Sequence, residues 1–476
     1  MFDVLVIGGG VIGGTILREL TKYKLSICLL EKENDVCMGQ SKANSGIVHA
    51  GFDAVPNTLK AKFNVIGNKM MKGYTKELGV KYKNNGALVV AFSQEELAVL
   101  EKLKARGKAN GVNGLEIISA SKLKRLEPNV SNQAVGALYA KTSGIVCPYE
   151  LTIASIGNAM DNGATLITDF EVADIVKREN KFIVKSAFGK EIEGKIIINC
   201  AGLGSGKIAS LVGDSDIEVK ARKGEYILID RESGGFISHT LFFVPTKAGK
   251  GILATQTVDS NLLFGPTAEE TEKEDIDTSA KGMSFVIEKV NTILEKPPLF
   301  NTITSFAGAR AFSNRNDFII EESKNTKGVI HCAGIESPGL TSAPAIAKFV
   351  VEELVSKQTE LVKNKKFNGK RESESCFKNL SIKKKNKIIK KDSSYGKIVC
   401  RCEQITEGEI LHAIRTNPPA KNIDAIKRRT RSGMGRCQGG FCQPYIADLI
   451  AKEQNIALTE VTKKGKGSEI LLKVTK

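Results

Sequence analysis

Two groups of residues in this chain of 476 have the types and spacing to do chemistry. The first lies at the N-terminus. An apolar run from Phe2 to Ile7, broken only by Asp3, gives way to Gly8, Gly9, Gly10 and Gly13, and a helical pattern follows from Val11 to about Tyr23. A second apolar run, Leu25 to Leu30, stops at Glu31. Strand, G-x-G-x-x-G turn, helix and acid-ended strand within about 30 residues make a dinucleotide fingerprint. In that reading Gly8 permits the tight turn, Gly10 lets a pyrophosphate approach the backbone, and Gly13 lets helix and strand pack closely. The helix N-terminus offers unpaired N–H groups and a partial positive charge to the pyrophosphate. Glu31 would accept hydrogen bonds from a ribose.

The second group is four cysteines near the other end, Cys400-Arg-Cys402 and, after 34 residues, Cys437-Gln-Gly-Gly-Phe-Cys442. In a reducing compartment such a set serves as metal ligands more readily than as disulfides. A structural zinc and a [2Fe–2S] cluster both take four thiolates, and zinc sites usually use C-x₂₋₄-C pairs. The cluster is the favoured reading. Arg401, Arg428, Arg429, Arg431 and Arg436 crowd the ligands in sequence and would offset its anionic charge, and backbone N–H groups of Gly435, Gly439 and Gly440 would tune it. The remaining cysteines, Cys28, Cys37, Cys147, Cys200, Cys332 and Cys376, stand singly and read as packing residues.

The elements that must position these groups follow from length and composition. The chain is too long for one core, so two or three domains are expected. Apolar content of 41% suits a globular protein. No 18-residue apolar run is present, so no transmembrane helix is expected. An N-terminus that is already a fingerprint strand is not a signal peptide, and the expected location is the cytoplasm. Of the net charge of +17, residues 357–397 contribute +10. With no interleaved aromatics, that Lys-rich stretch reads as a solvated linker rather than a nucleic-acid site, with contact to an acidic partner or anionic lipid as the alternative.

The fold class is α/β: a discontinuous dinucleotide-binding Rossmann-like domain, an antiparallel-sheet substrate domain, and a small, mainly helical [2Fe–2S] domain. Strand, glycine turn and helix recur at 196–209, where Ala201 and Gly202 would return to the nucleotide, and at 328–354, where Gly334 opens the turn. The nucleotide-binding pieces are thus expected at about 1–80, 145–210 and 310–356, and with the substrate domain they make one unit spanning 1–356. The strand-rich segments at about 81–144 and 211–309, including a hairpin from Lys81 to Phe92 around Asn84-Asn85-Gly86, belong to the substrate domain. The linker spans 357–397 and the cysteine domain 398–476.

Two sets of motifs carry a resemblance. RRTRSGMGRCQGGFC (428–442) resembles the [2Fe–2S] domain of bacterioferritin-associated-ferredoxin type found at the C-terminus of anaerobic glycerol-3-phosphate dehydrogenases. SGIVHAGFD (45–53), VPTKAGKG (244–251), SFAGARAF (305–312) and GIESPGLTSAPA (334–345) resemble the D-amino-acid-oxidase-like flavoproteins, and among them glycerol-3-phosphate and L-2-hydroxyglutarate dehydrogenases. The resemblance implies FAD rather than NAD, in keeping with a fingerprint that begins at residue 2 and has no second copy. It implies oxidation of a secondary alcohol, in which a hydride leaves carbon for flavin N5 while a base takes the hydroxyl proton.

His49, in the glycine-rich loop after the fingerprint with Ser45 and Gly46 beside it, is the candidate base. His331 sits in an apolar strand and reads as a core residue, His412 lies on the cysteine domain, and His239 is a weak rival. Arg310 matches the arginine that grips the substrate's phosphate or carboxylate in these families, although Ala311 stands where the pattern often has Pro. Lys247 is a second candidate cation. Backbone N–H groups at Pro338, Gly339, Leu340 and Thr341 would stabilise the reduced flavin's anionic edge. The expected substrate is a small anion, sn-glycerol 3-phosphate, with a 2-hydroxy acid such as L-2-hydroxyglutarate as alternative. An electron-transfer or assembly subunit without its own substrate is the rival of another class. The expected electron acceptor is a companion flavoprotein or quinone-linked subunit, with at most peripheral contact at the inner face of a membrane.

Overall fold

The computed structural model describes residues 1–245, 251–271, 275–371 and 377–473. The strand Phe2–Ile7 is the middle of an eight-stranded sheet, and its apolar run is the reason: Val4, Leu5 and Val6 are fully buried. It pairs in parallel with Ile27–Leu30 on one edge and Glu191–Asn199 on the other. Strand Thr165–Ile167 extends the sheet beyond Ile27–Leu30. The nine-residue strand Glu191–Asn199 spends its free edge twice. Its first half pairs with the antiparallel strand Lys181–Ser186, and its second half with the parallel strand Val329–Ala333. Helix Val11–Leu20 packs between helices Pro148–Asp161 and Gly339–Phe349. Its contact with the former is tight enough that a Cβ on Gly14 would sit 2.8 Å from Ile156.

A second, nine-stranded sheet lies alongside. Its spine is Val219–Ile229, antiparallel to Thr302–Ser313 from Val219↔Ser313 to Ile229↔Thr302. The sheet continues through Leu262–Gly265, Leu253–Gln256, Thr240–Phe243, Ala87–Ala91, Gly136–Ala140 and Leu115–Ser119. It is not wholly antiparallel, because Thr240–Phe243 runs parallel to Ala87–Ala91. The expected return to the nucleotide domain at about 310 comes later in the chain. Strand Thr302–Ser313 stays hydrogen-bonded to the second sheet through Ser313, and the first sheet resumes at Ile319–Glu322.

The expected hairpin from Lys81 to Phe92 does not form. Tyr82–Lys83 pairs with Gly144–Val146, whereas Ala87–Ala91 joins the large sheet between Gly136–Ala140 and Thr240–Phe243. The Asn84-Asn85-Gly86 turn therefore hands the chain from one sheet to another. Asn84 Nδ2 donates to the carbonyls of Lys141 and Ser143, and this ties the turn to a neighbouring loop instead of to a partner strand.

The Lys-rich segment is only partly a free linker. Residues 362–369 are strapped onto helix Val11–Leu20 and the turn that follows it, largely by backbone groups that composition cannot reveal. Lys24 N–H donates to Val362 O (2.8 Å), Asn364 N–H to Lys22 O (2.7 Å) and Arg18 Nη2 to Gly369 O (2.9 Å). A ten-residue helix, Ile382–Lys391, then precedes the C-terminal domain. That domain has its own core, with Ile410, Ile426, Ile446 and Ile450 at the meeting of helices Glu407–Arg415, Ile423–Thr430 and Gln443–Gln454. No described helix is long and apolar enough to cross a membrane.

Candidate functional site

The fingerprint turn is as close as its glycines allow. Gly8 has φ +110°, and a Cβ there would lie 2.4 Å from Cys200 O and 3.0 Å from Ala201 Cα, so Gly8 and Ala201 meet at the C-terminal edge of the sheet. Gly202 follows with φ +57° and open space where a Cβ would stand. A Cβ on Gly13 would lie 2.0 Å from Gly8 O, inside van der Waals contact with backbone. Gly13→Ala must therefore push the helix off the strand, an overpacking cost of about 1–3 kcal/mol. The variant is expected to purify with less flavin, read from the ratio of the visible flavin band to protein absorbance.

Glu31 ends the second strand with its carboxylate buried. Oε2 accepts from Gly9 N–H (2.6 Å) and Oε1 from Glu33 N–H (2.9 Å). Burial pushes its carboxyl pKa up, and the two N–H bonds oppose that shift. Ser41, which the sequence reading passed over, has its Oγ accepting from Val11 N–H (2.9 Å) at the helix start, and Gly10 faces only that hydroxyl. A helix N-terminus with no side-chain cap from Gly10 and only the Ser41 hydroxyl on its first N–H, a buried carboxylate beside it and a Cβ-free approach between them suit the pyrophosphate and ribose of FAD.

The loop after the fingerprint carries His49 and is held from three sides. His49 N–H donates to Thr341 Oγ1 (2.9 Å), and the same hydroxyl reaches Ile47 O (3.3 Å). His49 O accepts from the amides of Asn64 (2.6 Å) and Asn68 (3.1 Å), one turn apart on helix Leu59–Glu77. Its ring nitrogen Nε2 lies 3.3 Å from Ser337 Oγ, and the ring centroid 6.0 Å from that of Phe242 in the second sheet. Gly46, at φ +66°, passes so close to Val146 O that a Cβ would be 2.5 Å away. Gly334, at φ +62°, turns against Ser313, and Pro338, Gly339, Leu340 and Thr341 begin helix Gly339–Phe349 directly beside His49.

Arg310 faces the same loop from the second sheet. Its Nη2 donates to Thr267 O (2.7 Å), whereas its Nε is buried with no hydrogen-bond partner. Such an orphaned donor is costly unless a ligand oxygen meets it. Tyr226, almost fully buried and stacked on Phe306 at 4.9 Å, has its phenol pKa pushed up by burial while it lies beside Arg310 and hydrogen-bonds Ser45. Ala311 N–H donates to Gln40 Oε1 (3.0 Å), and Gly308 passes so close to Ala43 O that a Cβ would be 2.2 Å away. The Arg310 strand is thus pinned to the 40–49 loop. Lys247 lies outside the described residues.

The other histidines lie elsewhere. His331 is fully buried between Asp214 (2.8 Å) and Asn199 (3.2 Å), and His239 is hydrogen-bonded to Glu127 (2.6 Å). Asn64, Asn68, Ser337 and Tyr226 were not singled out from sequence. Only the i, i+4 pair of asparagines carried a local signal.

The four C-terminal cysteines form two pairs. Cys402 and Cys437, partly exposed, have sulfurs 3.6 Å apart, and the buried Cys400 and Cys442 hydrogen-bond one another. Among the described residues no three metal-ligating groups converge on one point. Two thiol pairs suit a binuclear cluster, which takes one pair per iron, better than a single zinc needing four sulfurs around one centre. The hydrogen bond from Cys442, against the opposing effect of burial and with help from the N–H groups of Gly433 and Glu403, lowers the Cys400 thiol to about 6. Gly439 and Phe441 donate to Cys437.

The expected donors Gly435 and Gly440 do otherwise: Gly435 packs against Cys402, and Gly440 N–H bonds Cys437 O. Three of the expected counter-charges also turn away. Arg428 and Arg429 both clamp Asp35, and Arg431 spans Glu403 (3.1 Å), Asp259 (3.0 Å) and Asn261 (3.0 Å). They dock the cysteine domain onto both sheets. Arg436 alone of the group lines the shallow cleft beside Cys402, where it pairs with Asp230 and Glu232.

Comparison with known proteins agrees with this division. Residues 3–353 match the family described as FAD dependent oxidoreductase, and residues 398–452 match the BFD-like [2Fe-2S] binding domain. The chain is 46% identical to a glycerol 3-phosphate dehydrogenase of Caloramator mitchellensis, over 100% of this chain and 99% of that one. It is 29% identical to the mitochondrial L-2-hydroxyglutarate dehydrogenase of Pongo abelii, over 74% of this chain and 87% of the relative. Among solved structures, the dithionite-reduced L-alpha-glycerophosphate oxidase of Mycoplasma pneumoniae with FAD bound superposes with a TM-score of 0.75 at 33% identity, covering 78% of this chain and 98% of the oxidase.

Proposed function

This chain belongs to the FAD dependent oxidoreductase family and carries a BFD-like [2Fe–2S] domain, and from that premise we propose that it oxidises sn-glycerol 3-phosphate to dihydroxyacetone phosphate and delivers the electrons through the cluster domain to a separate acceptor. The observation that carries this reading is the buried, unpaired Arg310 Nε on a strand pinned to the loop that carries His49. The relative named a dehydrogenase matches the whole chain, cysteine domain included, and the structure named an oxidase matches 78% of it. This supports export of electrons by the cluster domain.

In this reading Arg310 binds the phosphate by its planar guanidinium, whose remaining donors are preset by the bond to Thr267. His49 accepts the proton of the secondary hydroxyl on its imidazole, and Ser337 orients the ring. Asn64, Asn68 and Thr341 hold the His49 backbone so that the ring cannot follow solvent. Glu31, Gly8, Gly10, Gly13, Ala201 and Gly202 hold the adenosine and pyrophosphate, and Ser45, Gly46, Gly334 and residues 338–341 line the flavin end. Bound FAD supplies a two-electron acceptor. Cys400, Cys402, Cys437 and Cys442 hold the cluster, which supplies one-electron transfer. Lys247 is retained as a second cation for the phosphate.

Anaerobic bleaching of the flavin band by glycerol 3-phosphate, and not by L-2-hydroxyglutarate, is the deciding test, and the reverse preference refutes the substrate assignment. Arg310→Ala should raise the half-saturating substrate concentration about tenfold to a hundredfold, the worth of one or two charge-assisted hydrogen bonds. An unchanged half-saturation would show that Arg310 does not touch the substrate.

A further inference from the structure

Helix Ile382–Lys391, with the sequence IKKKNKIIKK, has six lysines in ten residues, no acid and no buried side chain. At 3.6 residues per turn, Lys383, Lys384, Lys387, Lys390 and Lys391 fall within an arc of about 120°. All five are exposed, and none forms an ion pair among the described residues. The opposite side faces the C-terminal domain. Lys385 lies over the Phe377 ring at 5.7 Å and donates to Lys378 O (2.8 Å), and Ile389 packs against Gly396. Phe377 and Tyr395 pack together at 5.6 Å, and Tyr395 presses on Gly408 of helix Glu407–Arg415. The helix is therefore a fixed platform with its cationic side turned outward. It is the densest part of a segment that holds +10 of the chain's +17.

We propose that this five-lysine face docks the protein on an anionic lipid bilayer. A protein partner would need anchoring aromatic or arginine side chains on the face, and the arc has none; lysine is depleted at such interfaces. Nucleic acid would call for interleaved aromatic side chains or a recognition module, and these are also missing from the arc. An anionic membrane surface asks only for a cluster of four to eight basic side chains on one face, which is what this helix presents. The surface stands on charge and geometry alone and does not depend on which substrate the flavin site oxidises.

The test is sedimentation of the holoenzyme with vesicles of phosphatidylglycerol and phosphatidylcholine in equal parts, against vesicles of phosphatidylcholine alone. Binding only to the anionic vesicles, weakened by salt, is expected. Replacing all five lysines with Gln should reduce that partition on the order of a hundredfold or more, with the flavin and cluster spectra unchanged. The proposal falls if the holoenzyme stays in the supernatant, if it binds neutral vesicles equally, or if the five-fold variant binds as before. Retention on immobilised polyglutamate or DNA with no binding to vesicles would assign the face to an acidic polymer and also refute it.

Discussion

Asp35→Ala is expected to unseat the cysteine domain and to loosen FAD as a consequence. The Asp35 carboxylate is buried, accepting from Arg428 Nη2 at 2.5 Å and from both terminal nitrogens of Arg429 at 2.9 and 2.8 Å. Removing it leaves two buried guanidiniums uncompensated, a loss of about 3–5 kcal/mol for a broken buried pair. The same short segment serves the nucleotide. Glu31 takes Gly9 N–H, and Cys37 N–H donates to Gly9 O (2.9 Å), so Asp35 sits in a loop clamped at both ends to the fingerprint turn. Asn34 adds a contact from Asn422 Nδ2 (2.6 Å).

Limited proteolysis should release a C-terminal fragment from Asp35→Ala far faster than from the parent, and fluorescence should report freed FAD. A variant that keeps parental protease resistance and flavin content would show that the clamp does not hold the domain. Burial opposes ionisation of Asp35, but Arg429 and Arg428 hold its pKa below the usual carboxylate range. A lowered folded-state value contributes stability above the unfolded value of about 3.9, lost as pH falls through the folded one. Docking should therefore be insensitive to pH near neutrality and fail only in strong acid.

His49→Ala should slow anaerobic bleaching of the flavin by glycerol 3-phosphate roughly 10²–10⁴-fold, the range for loss of a positioned general base. The half-saturating substrate concentration should change little if, as proposed, the anion is held from the other sheet by Arg310. That split separates the two residues: Arg310→Ala moves half-saturation, His49→Ala moves the limiting rate. Asn64→Ala removes one of the two amides that hold the His49 carbonyl and should give a smaller fall in rate with flavin content intact. An unaltered limiting rate in His49→Ala would remove it as the base.

The parts of this protein that are local in the chain were legible in the sequence. The G-x-G-x-x-G turn, the strand before it, the helix after it and Glu31 lie within one stretch, so turn geometry and hydrophobic periodicity dictate them without help from distant residues. The four cysteines are legible as ligands from their C-x-C and C-x₄-C spacing, but the thiols pair between the two motifs, Cys402 with Cys437 and Cys400 with Cys442, and that pairing is tertiary. Tertiary structure decided what depends on contacts across hundreds of residues. Those contacts include His49 against Ser337 and Thr341, Ser45 with Tyr226 beside Arg310, and Asp35 with Arg429.

Proximity in sequence misled where direction matters. Arg428, Arg429 and Arg431 are near neighbours of Cys437 in the chain, yet they stand at the end of a helix whose buried side faces Asp35 and Asp259. A buried guanidinium must find a carboxylate, and the docked surfaces supplied one before any cluster did. Likewise, composition read residues 357–397 as a solvated linker because it counts side chains. The strap to the first helices is made largely by backbone N–H and C=O groups, which every residue carries and no composition records.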